Sequence, residues 1–157
     1  MFASSISRVR MVAAVAITAV MALSMAMFVA APARADDVRG IENVATRECL
    51  DGSISEGLRL MTCNDVGYQD WIARGANPHT FLHVATAKCL DGSISDGVRL
   101  KECNTSDYQR WEWRKGENGF ALLNIATRKC LDGSISEGVR LMTCNNSDYQ
   151  RWQYNWR

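Results

Sequence analysis

The sequence predicts an all-β protein built from three copies of one unit arranged about a shared axis. Residues 49–71 recur at 89–111 and again at 130–152, and equivalent cysteines are spaced by 40 and 41 residues. Over residues 122–152 the third copy matches the first at 22 of 31 positions and the second at 23, so one supersecondary unit is used three times. Within each copy, short β-branched and aromatic runs alternate with Gly-, Asp- and Asn-rich connections. Two cysteines per copy add a local staple.

The chain opens with a segment unlike the rest. Arg8 and Arg10 precede an uncharged, predominantly apolar stretch over 11–31, and Ala33-Arg34-Ala35 offers small residues before Asp36-Asp37. This is the anatomy of a secretory signal peptide over residues 1–35. The apolar run is also long enough for a membrane anchor, and the small residues favour cleavage. The mature chain, 36–157, is sized for one domain that works without a membrane. The leader holds three of the 18 basic residues and no acids, so 15 basic residues face 17 acidic ones in the mature chain, net −2. A weakly acidic surface without a basic run argues against nucleic acid or anionic lipid as a partner.

Each unit divides into four short strands. In the first copy they fall at 41–46, 48–50, 58–63 and 70–74, with Asp51-Gly52, Glu56-Gly57 and Asn64-Asp65 as connections. No stretch of the mature chain keeps a helical period, and its one proline, Pro78, lies between copies. Three units give about twelve strands, and closing them into a barrel removes unpaired edges. Each copy ends in Tyr-Gln-x-Trp. Trp71, Trp111 and Trp152 are the natural core, and Gln69, Gln109 and Gln150 hold backbone groups in the adjoining turn.

Six thiols allow fifteen pairings. A unit carrying its own pair fourteen positions apart closes locally as Cys49–Cys63, Cys89–Cys103 and Cys130–Cys144, in keeping with export to an oxidising compartment. Zinc is disfavoured because no Cys-x-x-Cys or nearby histidine accompanies the pairs, and calcium because alternating oxygen ligands are missing. No metal or cofactor is expected.

Cys-Leu-Asp, a second Cys fourteen residues after the first, and Gln-x-Trp six residues further on, three times over, resemble the ricin B-type β-trefoil lectin family. The resemblance covers about residues 38–157, with repeats at about 38–77, 78–118 and 119–157. It implies a β-trefoil, no catalysis, and up to three shallow saccharide pockets formed around the Asp after Cys-Leu. Galactose- and xylan-binding members carry an aromatic two residues before the second Cys; here stand Met61, Lys101 and Met142. Those members also place Asn before the Gln, where this chain has Tyr68, Tyr108 and Tyr149. The Tyr-Gln-x-Trp ending is similar to the actinohivin-like three-repeat branch, whose mannose pocket uses an Asp, a loop Asn and that Tyr. The matching sets are Asp51, Asn64 and Tyr68; Asp91, Asn104 and Tyr108; Asp132, Asn145 and Tyr149. That branch has Tyr where Arg59, Arg99 and Arg140 stand.

These residue types suit a sugar. A carboxylate accepts two hydroxyl protons, an amide both gives and accepts, and a phenol offers a ring face to a C–H surface. Met61 and Met142 add adaptable apolar contact, while the arginines rim the pocket and hold a hydroxyl or the carboxylate. The expected protein is a secreted, monomeric lectin for mannose- or galactose-type glycans. Alternatives from the residues alone are turn-forming Asp and Asn, a trefoil that binds or inhibits another protein, and a glycosidase using Asp51 with Glu56 and their equivalents. Near-identical loops favour a repeated small ligand over one asymmetric partner, and a catalytic pair seldom appears in triplicate.

Overall fold

A computed structural model describes residues 38–155, so the leader expected over 1–35 lies outside the described residues. Twelve strands form three four-stranded lobes. The first holds β1 (Val38–Asn43), β2 (Glu48–Ser53), β3 (Gly57–Thr62) and β4 (Trp71–Arg74). The second holds β5 (Thr80–His83), β6 (Lys88–Ser93), β7 (Gly97–Lys101) and β8 (Trp111–Gly116). The third holds β9 (Gly119–Asn124), β10 (Cys130–Ser134), β11 (Gly138–Met142) and β12 (Trp152–Asn155).

Antiparallel pairing β12–β1–β4–β5 and β8–β9–β12 is closed by a bridge between His79 and Trp111, so six strands form a barrel. The other six form three hairpins, β2–β3, β6–β7 and β10–β11, whose second strands contact one another. This is the β-trefoil plan, and it leaves the barrel without a free edge.

The three tryptophans, fully buried, meet Ile41, Phe81, Leu122, Leu50, Leu90 and Leu131 in one core. Each indole N–H donates to the carbonyl of the leucine after the first cysteine: Leu50 at 2.9 Å, Leu90 at 2.9 Å and Leu131 at 3.1 Å. The Cys-Leu and Gln-x-Trp motifs are therefore two halves of one contact. The glutamines act as expected: Gln69, Gln109 and Gln150 accept from the backbone N–H of Asn64, Asn104 and Asn145 at 2.8–2.9 Å. Three disulfides close within the copies, Cys49–Cys63, Cys89–Cys103 and Cys130–Cys144.

Two local expectations are corrected. Residues 44–46 form a turn rather than the end of a strand, because Asn43 Oδ1 captures the N–H groups of Ala45 and Thr46 at 3.1 and 3.2 Å. Asp51-Gly52 is not a connection either. It lies inside β2, opposite Arg59 and Leu58, and the chain reverses at 54–56, where Gly57 takes φ +75°. Glycine follows the aspartate for lack of room. A Cβ at Gly92 would stand 2.9 Å from the Trp111 ring, and one at Gly133 would stand 2.8 Å from Trp152. Short 3-10 turns at Gly67–Gln69, Asp107–Gln109 and Asp148–Gln150, too brief to carry a helical period, hold the tyrosines.

Candidate functional site

The site grows from the cross-strand pairs Asp51–Arg59, Asp91–Arg99 and Asp132–Arg140 on the three hairpins. Alternation along each strand sends leucine or valine toward the core and arginine away from it. Each arginine Nε donates to Oδ1 of its aspartate at 3.0, 3.2 and 3.1 Å. Each guanidinium also binds the acid at the hairpin turn, Glu56, Asp96 or Glu137. Burial alone would lower the Arg99 pKa, but Asp96 and Asp91 outweigh it and raise the group above its ordinary value. The arginines thus hold the aspartate, one of their two expected roles. The acid at each turn is occupied by the same guanidinium that holds its partner.

The aspartates are only 4, 1 and 4 % exposed, yet they pair with outward strand positions rather than with the barrel core. Gln109 and Gln150 donate Nε2 to Oδ2 of Asp91 and Asp132, each at 3.2 Å. A carboxylate held from two sides keeps further acceptor capacity, because its two oxygens offer about four lone-pair directions. In the third lobe that capacity meets open space. A cavity of about 420 Å³ is lined by Asp132, Arg140, Met142, Asn145 and Tyr149, together with Ser134, Ser136, Glu137 and Ser147. The structure thus brings every site residue predicted for this lobe to one depression. The phenols of Tyr68, Tyr108 and Tyr149 are about half exposed, and Met61, Met142 and Lys101 stand outward at equivalent positions.

The asparagines serve the backbone first. Asn64, Asn104 and Asn145 each accept from an N–H two residues on, at 3.1, 2.9 and 3.0 Å. Asn64 and Asn104 also donate to the carbonyls of Thr62 and Glu102. They shape the loop that carries the tyrosine, as the turn-forming alternative expected, and Asn145 also lines the cavity.

Sequence reasoning missed a set of ties between lobes. Asn43 Nδ2 donates to the Tyr149 carbonyl at 2.9 Å, His83 Nε2 to Tyr68 at 2.9 Å, and Asn124 Nδ2 to Tyr108 at 2.8 Å. Each lobe thereby fixes the tyrosine turn of its neighbour. The signal was present as Asn, His and Asn at one repeat position, but its long-range partner is not visible in one dimension.

A separate cavity of about 260 Å³ meets the barrel strands at Arg39, Trp71, Ala73, His79, Phe81, Trp113 and Tyr154. It is aromatic and carries no carboxylate, and the phenol of Tyr154 is pushed up to about 12 by burial, with Arg39 pulling the other way. Small Ala73 stands where the other lobes have Trp113 and Tyr154, so this space is not repeated threefold.

The fold is thus a trefoil with a carboxylate–guanidinium–phenol depression on its third lobe. Residues 37–152 match the ricin-type beta-trefoil lectin domain, and the chain belongs to that family. The ricin-type lectin domain is a carbohydrate-binding module rather than a catalytic one. A search of curated proteins finds none that matches. Among solved structures, the chain is similar to the designed 3-fold symmetric protein ThreeFoil, with TM-score 0.68 and 20 % identity over 76 % of this chain and 98 % of that one. It is also similar to the hemolytic lectin CEL-III, with TM-score 0.63 and 22 % identity over 76 % of this chain and 32 % of that one. A third similar structure is Polyporus squamosus lectin bound to the epitope Neu5Aca2-6Galb1-4GlcNAc, with TM-score 0.65 and 13 % identity over 76 % and 48 % of the two chains. This chain thus spans nearly all of the designed trefoil but under half of the two larger lectins.

Proposed function

We propose that this protein is a secreted, multivalent lectin in which each lobe offers one shallow pocket for a mannose- or galactose-type residue. The observation that carries the reading is the repeated aspartate, held by an arginine, which in the third lobe lines one cavity with that arginine and a half-exposed tyrosine. In this reading Asp51, Asp91 and Asp132 accept hydroxyl protons in charge-assisted bonds, and the tyrosine ring packs on the C–H face. Met61 and Met142 add apolar contact in the first and third lobes, and Lys101 makes the second pocket different. The likeness to the actinohivin-like branch supports mannose-type glycans, because the Asp, loop Asn and Tyr of that branch recur here.

The mature domain spans 36–157 as a monomer, released after removal of residues 1–35. Three bridges within the copies suit an oxidising exterior. A single pocket of this depth binds at about millimolar strength, and three on one rigid body raise apparent affinity by about 10²–10⁴-fold on a clustered glycan. The test is a glycan array with the wild type and the Asp51→Ala/Asp91→Ala/Asp132→Ala protein, with circular dichroism to verify the fold. The variant is expected to lose binding; equal binding by both proteins would remove these pockets from the account. Mass spectrometry of the exported protein checks the leader, with Asp36 the expected first residue.

A further inference from the structure

Beside the Asp132 cavity lies a second depression of about 310 Å³, lined by Ala45, Thr46, Ser134, Ile135, Ser136 and Tyr149. The two share Ser134, Ser136 and Tyr149, so they form one groove with the tyrosine standing between its halves. One wall of the second half belongs to the hairpin tip of the third lobe. The other is the turn at 44–46 of the first lobe. Both walls are held by hydrogen bonds. Asn43 shapes that turn through its Oδ1 and pins the Tyr149 carbonyl through its Nδ2, and Ser134 Oγ lies 3.1 Å from Ser136 Oγ across the tip.

The chemistry of the two halves differs. The first holds Asp132, Glu137 and Arg140; the second holds methyl groups, a phenol ring and three hydroxyls, and no charged residue. Ile135 is 72 % exposed at the rim, and its equivalents Ile54 and Ile94 are 76 and 71 % exposed. A neutral pyranose matches this surface, with its C–H face on isoleucine, alanine and tyrosine and its hydroxyls on the serines and threonine. A carboxylated sugar would find no cation there to offset its desolvation. Ala85-Thr86 and Ala126-Thr127 repeat the opposing turn, and the His83–Tyr68 and Asn124–Tyr108 bonds repeat the tie between lobes.

Building on the lectin reading, we propose that each lobe carries a second, uncharged saccharide subsite between its own hairpin tip and the neighbouring lobe's turn. Its ligand is therefore a neutral oligosaccharide of at least two residues, gripped by two lobes at once. Burying one pyranose face on an isoleucine and a phenol corresponds to about tenfold in affinity.

Titration calorimetry with mannose, mannobiose, galactose and galactobiose tests this, using the wild type, the Asp triple variant described above, and Ile54→Ser/Ile94→Ser/Ile135→Ser. The wild type is expected to bind one disaccharide about tenfold more tightly than its monosaccharide. The isoleucine variant should lose most of that ratio while keeping its monosaccharide affinity. Isoleucine methyl resonances of the wild type should shift with disaccharide and stay still with monosaccharide. An unchanged ratio in the isoleucine variant, or still methyls, overturns the second subsite alone, provided the aspartate variant has lost monosaccharide binding. Wild-type binding to none of the four sugars overturns the lectin pockets as assigned, and the subsite with them.

Discussion

His83 occupies the position of Asn43 and Asn124 in the other lobes, and replacing it with asparagine probes how the lobes are joined. Its Nε2 lies 2.9 Å from the Tyr68 carbonyl, which can only accept, so Nε2 carries the proton. Nδ1 then accepts from Thr86 Oγ1 at 2.8 Å. The neutral ring thus imitates a carboxamide, with a donor on one side and an acceptor on the other. Burial lowers the His83 pKa from 6.5, while the Tyr68 carbonyl and the charges of Asp51 and Asp70 act in the opposite sense without cancelling it. A base with a lowered native pKa binds fewer protons folded than unfolded. Its stabilising contribution is therefore complete above 6.5 and drains away as the pH falls toward the native value, at about 1.4 kcal/mol per tenfold difference in proton affinity. His83→Asn keeps both hydrogen bonds and cannot protonate, but it removes the ring packed 4.8 Å from Trp71. That loss costs about 1 kcal/mol at neutral pH, where the variant is the less stable protein. Urea unfolding followed by tryptophan fluorescence from about pH 7.5 to about pH 5, disulfides intact, should show the gap between the two proteins closing toward acid. If the variant declines as steeply as the wild type, the buried imidazole is not the group responsible and the tautomer argument is wrong.

Cys130→Ser/Cys144→Ser opens a loop with 14-residue separation and should lower unfolding free energy by about 3 kcal/mol, read by the same denaturation. Gly133→Ala forces a methyl to within 2.9 Å of Trp152 and Asn43 and should cost about 1–3 kcal/mol, seen as a lower thermal midpoint. Tyr68→Ala/Tyr108→Ala/Tyr149→Ala should leave stability nearly unchanged, because the phenols are half exposed and the ties between lobes use main-chain carbonyls. The same variant should abolish retention on a mannan or galactan column; retained binding would take the tyrosines out of the site.

The repeat made much of this protein legible in advance. A period of 40 to 41 residues, local cysteine pairs and Gln-x-Trp tails settle the threefold barrel, its bridges and its buried tryptophans, because each is a short-range pattern repeated under one packing rule. The contact between each repeated aspartate and its arginine was legible for the same reason. Which other groups were already engaged was not. Asp51-Gly52 reads locally as a turn, yet it pairs with Arg59 and Leu58 inside a strand, and the glycine is there for clearance beside His83. Asn64 reads equally as a ligand or a cap, and only the folded loop shows which backbone groups it holds. The tie from Asn43 to Tyr149 spans 106 residues, and the groove between Ile135 and Ala45 joins opposite ends of the described chain. Periodicity reports what each unit does by itself. Contacts between units arise only when the barrel closes, so the three-dimensional packing alone decided how neighbouring lobes are tied together.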